Sequence, residues 1–334
     1  MTVSFLLAGD VGATNTRLAY YSTEKGFLHP IHETAFENKD FKSFDDLLNE
    51  FLTVSPVDFS GICLGIAGPI INNSVNVTNL GWNINGDELK QRFNLKGVWL
   101  INDLKALSYA VLNLRDEELQ VIREGKPVDR APIAVIAPGT GLGEGFLVWD
   151  GKKYQAVSSE GGNADFGPTN DNQEKLLSYL RKKGIRVSYE RVCSGLGIPN
   201  LYDFLKEEGY AEEPAWLKDE IDQIDDMPPV IFGNALDNEK DCALCKMTVD
   251  LFVEILGAEA GNLALKTLAQ GGIYIGGGIP PRILPWLKRE TFLDAIDNKD
   301  PYQNLLSQIP VKVIMNPMAN MIGAAFVGLQ ELIK

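Results

Sequence analysis

One plan occurs twice in this chain: an apolar strand, a turn rich in glycine, then a second strand. Val3 to Tyr21 passes through Asp10-Val-Gly-Ala-Thr-Asn15, and Ile133 to Trp149 runs from IAVIA through Pro138-Gly-Thr-Gly-Leu-Gly143 into GFLVW. Building one hairpin twice is the pattern expected of two structurally related domains that serve a shared ligand. With 334 residues there is length for two such domains, each with its own core.

Between and after the hairpins, strand and helix alternate. Phe41, Phe44, Leu47, Leu48, Phe51 and Leu52 fall at helical spacing, and Gly61 to Ala67 reads as a buried strand closed by Gly68-Pro69. Gly97 to Ile101 is a second short strand. Leu104, Leu107, Val111 and Leu114 then mark a helix, so Asn102 and Asp103 stand at a strand-to-helix junction. Ligands of open α/β sheets bind at such carboxyl ends of strands. Helices are expected over 172–183, 199–208, 241–270 and 320–333, with strands at 272–275 and 309–315. The acidic stretch 212–226, broken by Pro214 and followed by Pro228-Pro229, reads as solvated surface. The whole pattern is α/β.

Composition excludes several classes. Lys+Arg 31 against Asp+Glu 45 leaves a net charge of -14, which repels a nucleic-acid backbone. No apolar run reaches the length of a membrane span, and Met1 to Gly9 lacks the basic and apolar regions of a signal peptide. Four cysteines make no dense disulfide scaffold, so a cytoplasmic location is expected. The pair Cys242 and Cys245 lacks a second ligand pair for zinc and reads as helix residues. Both histidines, His29 and His32, fall in an expected loop, which argues against a Ser-His-Asp or His-based metal site.

Three glycine turns follow apolar strands, at 9–15, 139–143 and 276–278. Such turns bring backbone N–H groups close to phosphate oxygens, because no Cβ blocks the approach; each is equally readable as a tight turn alone. There is no GxxxxGK[ST], and Gly139-Thr-Gly-Leu-Gly143 is GxGxG leading into a strand, where a dinucleotide turn must open a helix. Asp10 would face a bound phosphate, which repels it unless a cation such as Mg²⁺, held through water, lies between; the plainer reading is that it caps its own turn. Asp103, in the first turn of a helix, reads as a general base or as a cap. Glu160-Gly-Gly-Asn163 suits a loop around a polyhydroxyl ligand but is also a plain turn, and Glu190 reads equally as a helix-surface residue.

Taken together, GDVGATNTR at 9–17, TNLGW at 78–82, IND at 101–103, PGTGLGEG at 138–145, SEGGNADFGP at 159–168, YERVCSG at 189–195 and IYIGGGIPPR at 273–282 closely resemble the bacterial glucokinases over essentially the whole chain. The resemblance implies the hexokinase/actin fold, with two RNase H-like α/β domains around a central cleft. Residues 1–112 and 316–334 would form the small domain and 113–315 the large one. It implies Mg²⁺ and ATP as cofactors, glucose as substrate and a homodimer. Asp103 becomes the base for the sugar 6-hydroxyl, with Asn102, Glu160 and Glu190 on other hydroxyls. Asp10, Gly12, Thr14 and Asn15 fall to the first phosphate turn, with Mg²⁺ on Asp10 through water. Gly139, Thr140, Gly141 and Gly143 fall to the second, and Gly276, Gly277 and Gly278 lie near the adenosine. One departure stands out: Asn163 occupies the place of a histidine common in the family. Asparagine donates and accepts but carries no charge, so one neutral hydrogen bond, about 0.5–1.5 kcal/mol, is at stake. No cysteine-rich zinc motif of the related ROK kinases is present. Rival expectations are a kinase for mannose or an N-acetylated amino sugar, a sugar-responsive repressor, and an actin-like ATPase.

Overall fold

Gly9, Ala8 and their neighbours sit in a strand that is buried on both faces, and the first sheet is built outward from it. The computed structural model describes residues 3–77, 79–237 and 239–334; Thr78 of the TNLGW segment lies outside them. The strands are β1 (Phe5–Val11), β2 (Asn15–Ser22), β3 (His32–Glu37), β4 (Gly61–Ile66), β5 (Ser74–Val77), β6 (Trp82–Asn85) and β7 (Gly97–Asn102). They continue as β8 (Leu119–Arg123), β9 (Ile133–Pro138), β10 (Leu142–Trp149), β11 (Tyr154–Ser159), β12 (Gly272–Ile275) and β13 (Val311–Ile314). His32 therefore opens a strand and is not in a loop: its side chain lies on the same face as Thr34, whose Oγ1 is 3.1 Å from His32 Nε2.

The chain divides into two compact units. One comprises Met1–Glu118, Ala156–Ser158 and Asn316–Lys334, the other Leu119–Gln155 and Ser159–Met315. In the first, the sheet order is β3-β2-β1-β4-β7. β1 runs antiparallel to β2 and parallel to β4, which runs parallel to β7. Continuous apolar strands of this kind require cover on both faces. Leu7, Leu18, Ile62 and Leu64 pack on one side with Phe44, Leu47 and Phe51 of the helix Phe44–Val54. Leu6, Ala8, Ala19 and Cys63 pack on the other with Ala106, Met321 and Ala324.

A second sheet, of order β11-β10-β9-β12-β13-β8, belongs to the second unit apart from Ala156–Ser158 of β11. β9 runs antiparallel to β10 and parallel to β12, and β12 runs parallel to β13. Taken in chain order, five strands of each sheet follow the same sequence of places: third, second, first, fourth, fifth. Its core centres on the 25-residue helix Ala243–Thr267, whose buried residues lie all round it and which ends at Leu268 in the left-handed conformation, φ 50°. The stretch read as solvated surface contains the helix Ala215–Ile221 with Leu217 fully buried, followed by the helix Met227–Leu236 with proline in its first turn. Proline there costs no hydrogen bond, so Pro228-Pro229 start a helix and do not close a loop.

Candidate active site

At the end of β1, Asp10 stands opposite Arg17 of β2 in register. Its Oδ1 accepts a hydrogen bond from Asn320 Nδ2 at 3.3 Å. Burial pushes the Asp10 carboxyl up to about 6, while the Asn320 hydrogen bond and the Arg17 charge pull it back. A desolvated carboxylate of this kind gains from a cation beside it. The turn that follows closes with Gly12 N–H donating to the Asn15 carbonyl at 3.0 Å. Asn38, only 2% exposed, holds it from behind. Its Nδ2 donates to the Gly12 carbonyl at 2.9 Å, its Oδ1 accepts from Thr16 Oγ1 at 2.7 Å, and its N–H donates to the Thr14 carbonyl at 2.9 Å. Because a trans peptide points its C=O and N–H in opposite directions, the Ala13 N–H faces away from Asn38.

β7 delivers Asn102 and Asp103 to the same edge of this sheet. Asn102 is the residue that caps the helix Asp103–Val111: its Oδ1 accepts from Lys105 N–H at 3.2 Å, and its Nδ2 donates to the Gly68 carbonyl at 3.3 Å. Asp103 is thus the first helical residue, part-exposed, with Oδ1 accepting from Leu104 N–H at 2.9 Å. It sits at the positive, N-terminal end of that helix. The helix is fixed in place by the closing helix Ala319–Ile333, whose Gly323 lies directly over the Ala106 backbone.

In the second unit, Gly139 N–H donates to the Gly141 carbonyl at 2.9 Å, while Gly195 and Leu196 N–H groups reach the Gly139 and Thr140 carbonyls at 2.8 and 3.1 Å. Glu190, in a short turn Tyr189–Arg191, is directed at this turn: its Oε2 accepts from Leu142 N–H at 3.0 Å. A Cβ at Gly141 would lie 2.4 Å from that oxygen, so a larger residue there would displace the Glu190 carboxylate from Leu142 N–H. The turn 276–278 joins the same place. Gly276 N–H donates to the Ile136 carbonyl at 2.8 Å, and Gly277 adopts φ 86° with a Cβ position 2.4 Å from the Pro138 carbonyl. Beside these turns opens a cavity of about 500 Å³, lined in part by Thr140, Leu196, Ile224, Phe232, Gly278 and Arg282.

Glu160 and Asn163 share one turn, both exposed, with Asn163 N–H donating to the Glu160 carbonyl at 3.0 Å. Arg186 supports it by donating to the Asn163 carbonyl at 3.1 Å and to Asp165 at 2.8 Å. Cys242 is the cap of the helix Ala243–Thr267 and not a helical residue: its Sγ accepts from Cys245 N–H at 3.3 Å. Among the described residues, no group of three or more His, Cys, Asp or Glu side chains is arranged to hold a metal ion. No helix of the described residues is long and apolar enough to cross a membrane. The sequence reading missed Asn38 and Asn320, which shape the first turn from 22 and 310 positions away, and the cavity wall from Ile221 to Phe232. The only hint for the wall was Pro228-Pro229 as a helix start.

Comparison with known proteins gives these sites a setting. The glucokinase family model matches residues 7–331. A glucokinase of Nostoc punctiforme is 39% identical over 338 residues, covering 97% of this chain and 98% of that one. The crystal structure of a glucokinase from an Antarctic psychrotroph superposes with a TM-score of 0.82 at 32% identity, over 98% of this chain and 99% of that chain. A ROK family glucokinase from Streptomyces griseus, solved with glucose and AMPPNP, shares the fold with a TM-score of 0.66 at 16% identity, over 98% and 100% of the two chains. The repeated strand order is accordingly that of the hexokinase/actin-type sugar kinases, with two RNase H-like α/β domains. With a family model spanning nearly the whole chain and relatives above 30% identity over almost all of it, this chain belongs to the glucokinase family of enzymes.

Proposed function

We propose that the chain transfers the γ-phosphoryl group of ATP to the 6-hydroxyl of D-glucose, giving glucose 6-phosphate and ADP. The observation that carries this is Asp103 at the carboxyl end of β7, the first residue of the helix that follows, inside a family match that runs from residue 7 to 331. Asp103 takes the proton of the 6-hydroxyl as that oxygen attacks in line. Such a transfer needs little covalent chemistry from the protein, so rate comes from placement and charge stabilisation. Asn102, Glu160, Asn163 and Glu190 hydrogen-bond the remaining hydroxyls. The turn with Asp10, Gly12, Thr14 and Asn15 and the turn with Gly139, Thr140, Gly141 and Gly143 receive the phosphates. Gly276, Gly277 and Gly278 border the adenosine, for which the neighbouring cavity of about 500 Å³ has room.

The Asp10 carboxyl, destabilised as an anion by burial, fits a water-mediated Mg²⁺ contact. One carboxylate is enough when the nucleotide phosphates supply the other oxygens. The ion would neutralise charge building on the phosphoryl oxygens when bound. Glucose and AMPPNP bound in the Streptomyces griseus structure support the pairing of sugar and nucleotide. A homodimer, a cytoplasmic location and a place at the first step of glycolysis complete the proposal.

The test is ADP release with Mg-ATP across glucose, mannose, fructose, galactose and N-acetylglucosamine, with Asp103→Asn as control. Glucose turnover lost in the control is the expected result. Turnover confined to another sugar would move the specificity, and no turnover on any sugar would end the proposal.

A further inference from the structure

Under the loop 160–163 lies a pair of buried acids that the phosphoryl transfer does not use. Glu144 on β10 is 1% exposed and Glu259 on the helix Ala243–Thr267 is 0% exposed. The two side chains are neighbours, and Glu144 Oε1 meets no donor among the described residues. Two carboxylates have no hydrogen to share, so the contact closes only when one of them is a neutral acid. Burial first, and the Glu259 charge second, push the Glu144 carboxyl up to about 8, with Lys266 pulling it back.

Polar and titratable groups face the pair from the helix Ala243–Thr267 itself, from the segment 189–193 and from Lys299. Lys266 Nζ lies 3.3 Å from Glu259 Oε1 and is largely solvent-exposed. Asn262 Nδ2 donates to Glu259 Oε2 at 2.8 Å and to the Tyr189 hydroxyl at 3.0 Å. The Cys193 thiol is pushed up by burial and then by both acids. The Lys299 ammonium is lowered by burial and partly restored by Glu259.

Two arms lead from this pair to the sugar-binding assignments. The Glu144 carboxyl lies against the Gly161 backbone, where a Cβ would fall 2.1 Å from Oε2. Ser159 Oγ ties the same place, donating to the Glu144 carbonyl at 3.1 Å and accepting from Gly161 N–H at 3.2 Å. On the other side, Glu259 reaches Tyr189 through Asn262, and Tyr189 adjoins Glu190 in one short turn. Satisfied polar networks in a low-dielectric interior hold their members rigidly.

We infer that Glu144 is a positioning residue for sugar binding: as a neutral acid bonded to Glu259 it fixes the loop that carries Glu160 and Asn163, while Glu259 fixes the turn that carries Glu190. The inference rests on the proposed sugar contacts of those three residues. Loss of the Glu144 proton sets two buried anions side by side, and their repulsion displaces the loop. A purely structural role would lower stability and kcat together at every pH. A positioning role raises the sugar KM, with kcat nearly unchanged, as pH rises.

The experiment is the pH dependence of kcat and of KM for the preferred sugar, pH 6.5 to 9.5, in wild type and Glu144→Gln. The amide keeps a neutral donor at every pH. For wild type, the sugar KM is expected to rise about fivefold or more toward pH 9.5 while kcat changes less than about twofold; for Glu144→Gln, KM stays within about threefold of its neutral value throughout. Superimposable profiles in the two proteins would overturn the inference while leaving the kinase assignment standing. Should Glu144→Gln fail to fold, the wild-type profile decides, and a KM flat in pH overturns it. A wild type that turns over no sugar overturns the kinase assignment and this inference together.

Discussion

The two hairpins share a backbone plan and differ in charge. One residue pair back from the turn, β1 and β2 set Asp10 against Arg17, whereas β9 and β10 set Ala137 against Gly143. The first turn therefore carries a desolvated carboxylate suited to a cation, held by Asn320 and shaped by Asn38. The second is uncharged at that level and is shaped from behind by the Glu190 carboxylate on Leu142 N–H and by the turn 276–278 on Pro138. One fold element, used twice, has been given two electrostatic tasks by its neighbours. Under the proposed reaction, one supports a cation and the other receives phosphate on a turn whose own residues carry no charge.

The fourth strands extend the comparison. β4 is followed by Gly68 at φ 118°, with the nearest atom to a Cβ 3.8 Å away, and β12 by Gly277 at φ 86°, where a Cβ would meet the Pro138 carbonyl at 2.4 Å. Both positions demand glycine for conformation, but only the second also lacks space.

The sharpest break is expected at the charged unit. Asp103→Asn should lower kcat by at least about 10²-fold while leaving the sugar dissociation constant, from intrinsic fluorescence titration, within about threefold; near-normal turnover would remove Asp103 from the base role. Asp10→Asn should lower kcat/KM for Mg-ATP by about tenfold or more, with the folded state no less stable at pH 7, because the amide relieves a desolvated charge and still accepts from Asn320. A melting temperature well below wild type would show that Asp10 is a structural anion.

Stability tests come next. Gly277→Ala should destabilise by about 1–3 kcal/mol and Gly68→Ala by less, read from chemical denaturation, because strain adds to steric overlap only at 277. Equal losses would mean that crowding at Pro138 relaxes freely. Glu144 supplies a pH test with a definite sign. Its folded-state value is raised to about 8 from an ordinary 4.5, so between those values the folded protein holds more protons than the unfolded chain. Its contribution to stability therefore falls as pH rises through that window. Melting temperatures of wild type and Glu144→Gln measured from pH 5 to 8.5 should diverge in the variant's favour, and parallel curves would contradict the raised value. The smallest effect is expected from Asn163→His: a change in sugar KM of up to about tenfold with kcat unchanged, the worth of one hydrogen bond.

The turns were readable because glycine after an apolar run is a local signal, and the longer helices, among them 172–183, 199–208 and 320–333, followed to within a residue or two from spacing of Leu, Ile, Val and Phe along the chain. Asp103 at the β7 junction was placed by the same means. The division of labour at that junction was not: whether Asn102 or Asp103 caps the helix depends on which side chain reaches Lys105 N–H, and the structure gives this to Asn102. The stretch 212–226 is mostly exposed, as its charge pattern suggests; what that pattern hid is the helix Ala215–Ile221 with Leu217 buried, and the cavity that Ile221 and Ile224 line.

By itself, the sequence determined the alternation of the longer strands and helices, the twice-used hairpin and the position of each glycine turn, because hydrophobic period and turn chemistry act over a few residues; short strands such as β3, β5, β6, β8 and β11 were not legible in it. Only the tertiary structure decided which distant side chains complete those turns. Asn38 and Asn320 join the first, Glu190 and Gly277 the second, and Glu144 meets Glu259 across 115 positions (259 − 144). Such contacts follow from sheet order and helix packing, and a buried carboxyl takes its charge state from neighbours that spacing along the chain does not reveal.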